Sequence, residues 1–227
     1  MTFLELIKTA AQIGKDIPSD KSIIDGITDE ASFNAQNPRF AYAIWGEWIN
    51  ESFNRLLYQL PTTLIKEVVH CSFEVVDGFA DLPKDLLRIK RITINVEGAT
   101  RGARYKTQDY FLGTEYNTWL RTDVYHPYYT FENQYSDIYQ PKIRFSPPNV
   151  TTVGSMQYIR SQKLVSYLDT PYIQEQFHYL LAEMAASKKL AIDGDETALS
   201  VDGEVKKRLK ELQVANPEIM PEQGTVI

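Results

Sequence analysis

The stretch that decides the fold runs from Tyr167 to Leu212 and reads YLDTPYIQEQFHYLLAEMAASKKLAIDGDETALSVDGEVKKRLKEL. Thr170 followed by Pro171 is typical of a helix start, because a hydroxyl accepts an orphan backbone N–H and proline suits the first helical position. Apolar residues then recur at the spacing of one helical face, at Ile173, Phe177, Leu180, Leu181, Met184 and Ala185. The pattern predicts a long helix that begins next to Thr170.

A turn and a second helix follow this segment. Gly194 stands where a left-handed C-terminal cap belongs, and Asp195 is placed to open the next helix. Val205, Leu209 and Leu212 form a narrower apolar stripe in the charged run that comes after it. Because the connection is short, we expect the two helices to lie antiparallel as a helical hairpin.

The amino-terminal part of the chain shows a short amphipathic helix and a loop. Thr2 and Glu5 have the spacing of a capping box, and Gly14 ends the helical pattern. Residues 15–37 are rich in Pro, Gly, Asp and Ser, which predicts a loop with at most one helical turn near residues 22–25.

A longer helix is predicted after this loop. Asn37 and Pro38 repeat the pattern of a cap followed by proline, and apolar residues at helical spacing continue to Leu60. Trp45 and Trp48 share that apolar stripe. Large aromatic rings on such a stripe are more often part of a core than of a ligand cage, and we interpret them as core.

The middle of the chain changes from helical to strand periodicity. Alternating residues predict strands at 69–75, 86–96, 104–111, 116–121, 142–146 and 154–161, with loops at 98–102 and 123–140. Asp77-Gly78 is a turn signal, and the alternation in the second strand slips near Lys90-Arg91, which predicts a β-bulge there.

The order of elements predicts an α+β protein. We expect residues 1–62 and 165–214 to form a helical bundle, because their apolar stripes need partners, and residues 63–164 to form an inserted antiparallel β-rich module. Residues 215–227 hold two prolines without periodicity and predict an extended C-terminal tail.

Composition excludes several classes of protein. The net charge of -6 argues against general nucleic-acid binding, which favours a basic surface. A single cysteine, Cys71, cannot form an intramolecular disulfide, and the amino-terminal residues have no signal-peptide pattern. No apolar run reaches the length that spans a membrane. We expect a protein made in the cytoplasm, without membrane contact.

The sequence contains no recognisable catalytic or metal-binding motif. His70, His126 and His178 are scattered without metal-ligand spacing, and the glycines fit neither a P-loop nor a dinucleotide fingerprint. We therefore expect no metal, no cofactor and no enzymatic activity.

Two surface patterns remain. Eight of the 14 tyrosines fall between Tyr105 and Tyr139, a density that favours an interface over ordinary exposed rings on a sheet. Arg101, Arg104 and Lys106 form a basic patch suited to an acidic neighbour. The basic run at 206–210 is interpreted as a solvated helix face.

The order of these features resembles the head-to-tail connector proteins, also called adaptor or ring proteins, of tailed bacteriophages, particularly short-tailed ones. The passages that carry the resemblance are the opening helix at 2–7 with the helix at 41–60 around WGEWINE (45–51), the strand start DLPKDLLRI (81–89), and KIRFSPP (142–148), YIR (158–160), DTPYIQEQFH (169–178), Ala185-Ala186 and Gly194-Asp195.

The resemblance implies a structural virion protein at the head-to-tail junction. Such proteins assemble as a ring, typically a dodecamer, between the portal protein and a downstream tail or second ring protein, and genomic double-stranded DNA passes through the channel without sequence-specific binding. C-terminal segments of the family reach onto the neighbouring ring. That implies portal or adjacent-ring contacts at Pro217, Ile219, Met220, Val226 and Ile227.

Two alternatives remain open. The first is a non-enzymatic carbohydrate- or protein-binding module that uses the Tyr-rich loop 123–140. The second, with less support, is an enzyme of unknown type. In either the ring or the binding module, the candidate contact residues of the loop are Tyr125, Tyr128, Tyr129, Tyr135 and Tyr139.

Overall fold

The computed structural model describes residues 1–36, 38–96, 98–111, 126–132, 142–146 and 151–215. The described chain divides into two compact units. We name residues 1–67 with 161–215 the α-unit, and residues 68–160 the β-unit. The chain contains both helices and a mixed sheet, so the predicted α+β class is confirmed.

The described residues of the α-unit contain six α-helices. They are α1 (Phe3–Ile13), α2 (Lys21–Gly26), α3 (Glu30–Asn34), α4 (Tyr42–Gln59), α5 (His178–Ile192) and α6 (Thr197–Ala215). Helices α1 and α4 both pack against α5, and α5 packs against α6. Fully buried side chains from α1, α4 and α5 meet in this core, among them Leu6, Trp45 and Leu181. Burial of their apolar surface is the main free-energy gain in this unit.

The first helix follows the sequence signals. The Thr2 hydroxyl accepts a hydrogen bond from the Glu5 backbone N–H, and the Glu5 carboxylate accepts one from the Thr2 backbone N–H. Two orphan donors at the helix start are thereby satisfied, and Gly14 ends the helix as predicted.

The predicted start of α4 is wrong, because the helix begins at Tyr42 rather than after Asn37-Pro38. The Asp16 carboxylate accepts hydrogen bonds from the backbone N–H groups of Arg39 and Phe40, which holds this segment outside the helix. The helix end before Pro61 agrees with the prediction. The predicted loop before α4 also contains a second short helix, α3, that periodicity did not indicate.

The start of α5 also differs from the prediction, since the helix begins at His178 rather than next to Thr170. Ile173 forms an isolated antiparallel bridge with Ile65, and the backbone N–H of Lys66 donates to the carbonyl of Tyr172. This tertiary pairing keeps the segment extended up to a 3₁₀ turn at Glu175–Phe177. A local cap signal was overridden by a contact distant in sequence.

The helical hairpin of α5 and α6 agrees with the prediction. Gly194 has a φ of +69°, the left-handed conformation expected of a C-terminal cap. The Asp195 carboxylate accepts hydrogen bonds from the backbone N–H and the hydroxyl of Thr197, the first residue of α6. Asp195 also pairs with Lys15 at 2.8 Å, which ties the hairpin turn to the residues after α1.

In the part of the β-unit that the structure describes, seven strands form a mixed sheet with the order β1-β7-β3-β4-β5-β6-β2. Its strands are β1 (Val69–Val75), β2 (Phe79–Asp81), β3 (Leu86–Val96), β4 (Ala99–Tyr105), β5 (Tyr128–Glu132), β6 (Lys142–Ser146) and β7 (Thr152–Arg160). The expectation of an antiparallel module needs correction, because β4 and β5 pair in parallel.

The two outermost strands, β1 and β2, are consecutive in the chain. They are joined by a turn at Asp77 and Gly78, whose φ angles of +52° and +82° confirm the predicted turn. Val76 and Phe79 form a bridge across this turn, so the sheet curls back until its first and last strands meet. The register of β3 against β7 shifts between Ile89 and Arg91, which confirms the predicted bulge.

Three other predictions in the β-unit are wrong. Residues 99–102 of the predicted loop 98–102 belong to β4, and residues 108–111, expected to continue a strand, are helical. The predicted loop 123–140 contains β5. The predicted strand 116–121 lies outside the described residues. The loop 98–102 was predicted wrongly because the β3–β4 hairpin keeps its pairing up to Val96 and Ala99. Strand β5 was missed because it finds its partner β6 through pairing outside the local sequence pattern.

The curled sheet encloses the core of the β-unit. Its buried side chains include Val75, Ile92, Phe145 and Met156, contributed by four different strands. Gly154 on β7 is required by this packing, since a Cβ atom there would lie 2.4 Å from Cζ of Phe73.

Candidate assembly surfaces

The tyrosines of β5 divide between the core and the surface. Successive strand residues point to opposite faces of a sheet. Tyr129 is only 5% exposed and packs against Tyr105 and Phe145, whereas Tyr128 is half-buried. Burial raises the pKa of Tyr129 well above its usual range. The expectation that Tyr129 is a contact residue needs correction, because its ring belongs to the core.

Tyr128 belongs to a small aromatic–cation cluster on the surface. The Lys106 ammonium lies 4.6 Å from the ring centroid of Tyr110 and 5.3 Å from that of Tyr128. The two rings also meet edge-to-face, with centroids 6.0 Å apart. Cation–π contacts hold the lysine between the rings while leaving the cluster accessible.

This cluster borders a concave surface on the β-unit, which we name the basic concavity. It has a volume of about 540 Å³ and is lined by residues from β3, β4 and the start of β5, namely Lys90, Arg91, Ile92, Thr100, Arg101, Gly102, Ala103, Arg104, Tyr105, His126, Pro127, Tyr128 and Tyr129. Among the described residues of this lining, four side chains are Lys or Arg and none is Asp or Glu. The concavity is therefore suited to an anionic partner.

A second, more apolar groove lies on the α-unit between the start of α5 and the end of α6. It has a volume of about 440 Å³, and its lining includes Phe177, Tyr179, Leu180, Leu212 and Ala215. Tyr179, which belongs to this lining, is 50% exposed.

Arg208, one of the two charged residues that line this groove, is paired. The Arg208 guanidinium donates to the Glu183 carboxylate at 2.8 Å, and the Glu183 side chain is only 12% exposed. Burial raises the pKa of Glu183, and the nearby Arg208 charge opposes that shift. Lys206 pairs with Asp202 at 2.5 Å. The basic run on α6 is thus partly neutralised by its own chain.

Burial shifts the pKa values of several titratable groups. Burial lowers the pKa of His178, and the amino group of Met1, 2.8 Å from Nδ1, lowers it further. Burial and a hydrogen bond to Asp85 raise the pKa of Tyr158 to about 12. Burial also raises the pKa of the Cys71 thiol, which favours its less nucleophilic protonated form.

Across the part of the chain that the structure describes, no cluster of three or more His, Cys, Asp or Glu side chains could hold a metal ion. Among the same residues, none of the helices is long and apolar enough to cross a membrane.

The predicted contact residues are only partly located. Tyr128 borders the basic concavity and Tyr129 is buried, whereas Tyr125, Tyr135 and Tyr139 lie outside the described residues. The tail residues Pro217, Ile219, Met220, Val226 and Ile227 lie outside them as well. Sequence reasoning found Arg101, Arg104 and Lys106 but missed Lys90 and Arg91. The bulge signal at Lys90-Arg91 was visible, yet only the β3–β4 register shows that these residues join the same surface.

The chain belongs to the SU10 adaptor protein family, because the family model described as SU10 adaptor protein matches residues 1–221. It is accordingly a phage adaptor, a structural component of the virion that interacts with other virion proteins such as portal and tail. A search of curated proteins finds no match to the chain.

Proposed function

We propose that this adaptor forms a closed ring, a dodecamer, between the portal protein and the tail of a short-tailed phage. The observation that carries the proposal is the family match over residues 1–221, which spans both units. A ring needs two different surfaces on every copy, because each subunit meets its two neighbours in a head-to-tail manner. The basic concavity and the acidic remainder of the chain supply surfaces of opposite character.

In this proposal the helices of residues 1–62 and 165–214 form the bundle that builds the connector, and residues 63–164 form an inserted module. The tail, residues 215–227, docks on the portal or an adjacent ring through Pro217, Ile219, Met220, Val226 and Ile227. Terminal segments of this composition seldom hold a core together. Deletion of residues 217–227 is therefore expected to weaken docking much more than folding.

The ring extends the channel for genomic double-stranded DNA during packaging, retention and ejection. A wall that is neutral to acidic would repel phosphates and let DNA slide. The pairing of Arg208 with Glu183 and of Lys206 with Asp202 supports the view that the basic run on α6 is not a DNA contact.

The experiment that tests the proposal measures the mass of the assembly, alone and mixed with the portal protein of the same phage, by native mass spectrometry and particle imaging. A closed ring of about a dozen copies, alone or on the portal, is the expected result. A chain that stays monomeric in both samples and is missing from intact particles would overturn it.

A second candidate function is a non-enzymatic module that binds a carbohydrate or a protein through residues 123–140. The observation that favours it is the accessible cluster of Lys106, Tyr110 and Tyr128, since aromatic rings beside a hollow suit sugar or peptide ligands. Tyr128→Ala should then abolish ligand binding on a glycan or peptide array while leaving the mass of the assembly unchanged.

A further inference from the structure

The basic concavity is an exception to the charge of the whole chain. Residues 86–106 carry six basic side chains and one acidic one, although the net charge of the chain is -6. Lys90, Arg91 and Arg104 are exposed. None of the three forms an ion pair with any residue in the described ranges.

The strand register places like charges near each other. Ile92 of β3 pairs with Ala103 of β4 at the end of this pairing, and Arg91 and Arg104, the next residues along the two strands, line the same concavity. Like charges opposed across two strands destabilise a sheet. This repulsion lowers the free energy of unfolding of the isolated chain. A bound anionic partner would replace the repulsion with attraction.

The α-unit contains an exposed acidic segment, residues 20–30, which includes all of α2 and the first residue of α3. It holds four acidic side chains and only one basic side chain, Lys21, all of them exposed. The carboxylates of Asp20 and Asp29 cap the two helices by accepting N–H bonds. Asp25 and Glu30 make no hydrogen bond or ion pair with the described residues, so their charges are available to a partner.

We propose that the basic concavity of one copy receives the acidic segment 20–30 of the neighbouring copy. The inference rests on the proposed ring, in which each copy presents one surface to one neighbour and a different surface to the other. Lys90, Arg91 and Arg104 face Asp25 and Glu30 across this contact. Charge complementarity fixes the register of the contact and speeds association.

The test uses two full-length charge-reversal variants, Arg91→Glu/Arg104→Glu and Asp25→Lys/Glu30→Lys. All four side chains are exposed and none caps a helix, so both variants should fold as the wild type does by circular dichroism. Matched controls change the net charge equally elsewhere: Lys207→Glu/Lys210→Glu on α6, and Glu47→Lys/Glu211→Lys on α4 and α6. Native mass spectrometry, with and without the portal protein, reads the assembled fraction.

Each reversal variant alone is expected to lose more than about tenfold of the assembled fraction, because like charges then meet at the contact. An equimolar mixture of the two is expected to recover assembly with the variants in equal numbers, since every concavity then faces an oppositely charged segment. The controls should assemble as the wild type does. High salt should weaken wild-type assembly, because exposed charges are screened.

Three results would overturn the inference while leaving the ring intact: normal assembly of either reversal variant, failure of the mixture with both variants folded, or a change in the stability of the monomer with no change in assembly. Loss of double-stranded DNA binding in Arg91→Glu/Arg104→Glu, with assembly unchanged, would assign the concavity to phosphates instead. A wild type that does not assemble even with the portal would refute the proposed function itself.

Discussion

The α-unit and the β-unit treat their charged side chains differently. In the α-unit, the charged side chains that are largely buried are paired within the unit: the Glu183 carboxylate with Arg208, and Lys189 with Asp193 at 2.6 Å. In the β-unit, Lys90, Arg91 and Arg104 crowd one surface without ion pairs to any described residue. Charges that serve a fold are paired inside it, because a buried unpaired charge is costly. Charges left together without partners are better explained by a contact outside the chain.

The largest expected change in stability comes from a substitution that tests how tightly each of the two units is packed. Gly154→Ala places a Cβ atom 2.4 Å from Cζ of Phe73 and 2.9 Å from the backbone oxygen of Thr93. We expect the free energy of unfolding to fall by about 2–3 kcal/mol, the upper part of the range for overpacking. Urea titration measures it.

Gly46→Ala in α4 is the matched control, because its Cβ atom would lie 3.1 Å from Cζ of Phe3, so the ring would have to give way by only a few tenths of an ångström. The better helix propensity of alanine, about 1 kcal/mol, offsets this contact. Equal losses for the two variants would show that both units are packed with the same tolerance. The double variant Gly154→Ala/Phe73→Leu should recover part of the loss if the ring is its cause.

Arg208→Gln tests the paired charges of the α-unit. Glu183 would lose its charged partner while remaining largely buried, and we expect the free energy of unfolding to fall by about 1–2 kcal/mol, allowing for the partial exposure of Arg208. Lys207→Gln, an exposed neighbour with no ion pair among the described residues, should change it little. A loss as small as that of the control would mean that the pair contributes nothing to folding.

The pH dependence of stability tests the buried histidine. The pKa of His178 is lowered in the folded chain by burial and by the Met1 amino group, so the unfolded chain binds the proton more tightly. The contribution of His178 is present above the ordinary histidine pKa of about 6.5 and is lost as the pH falls below it. His178→Gln should flatten this part of the profile, whereas His70→Gln, at an exposed position, should not. Identical profiles for both variants would contradict the assignment.

The smallest expected change is a gain in stability, whereas Gly154→Ala and Arg208→Gln lose it. Arg104→Gln removes like-charge repulsion from the basic concavity, so we expect the isolated chain to gain about 0.2–1 kcal/mol in the free energy of unfolding. Thermal unfolding at low salt measures this gain, which should shrink as salt is added. A loss of stability would show that Arg104 has a structural partner after all and that the contrast between the units is weaker than proposed.

The sequence predicted the elements that local signals control. The capping box at Thr2 and Glu5, the turn at Asp77-Gly78, the bulge near Lys90 and the cap at Gly194 each depend on a few neighbouring residues, and each agrees with the structure. Long-range pairings were not predictable in the same way. Because of the bridge between Ile65 and Ile173, α5 begins later in the chain than the cap signal at Thr170 predicts. No local sequence pattern indicates this bridge.

The candidate surfaces show the same limit. The basic residues of β4 were visible in the sequence, but only the pairing of β3 with β4 adds Lys90 and Arg91 to them. The density of tyrosines was equally visible, yet the alternation of β5 places one of two adjacent rings in the core and the other at the surface. Residue type indicates what a surface can bind, and strand register decides which residues share it.

The turn at Asp77-Gly78 has a consequence for how this protein associates. An open sheet presents unsatisfied backbone groups that recruit further strands, and chains at high concentration then polymerise into fibres. Here the outermost strands are consecutive, so near the turn the edge is covered by its own neighbour. The self-covering edge favours association through side-chain surfaces, which can be specific, over backbone pairing, which is indiscriminate.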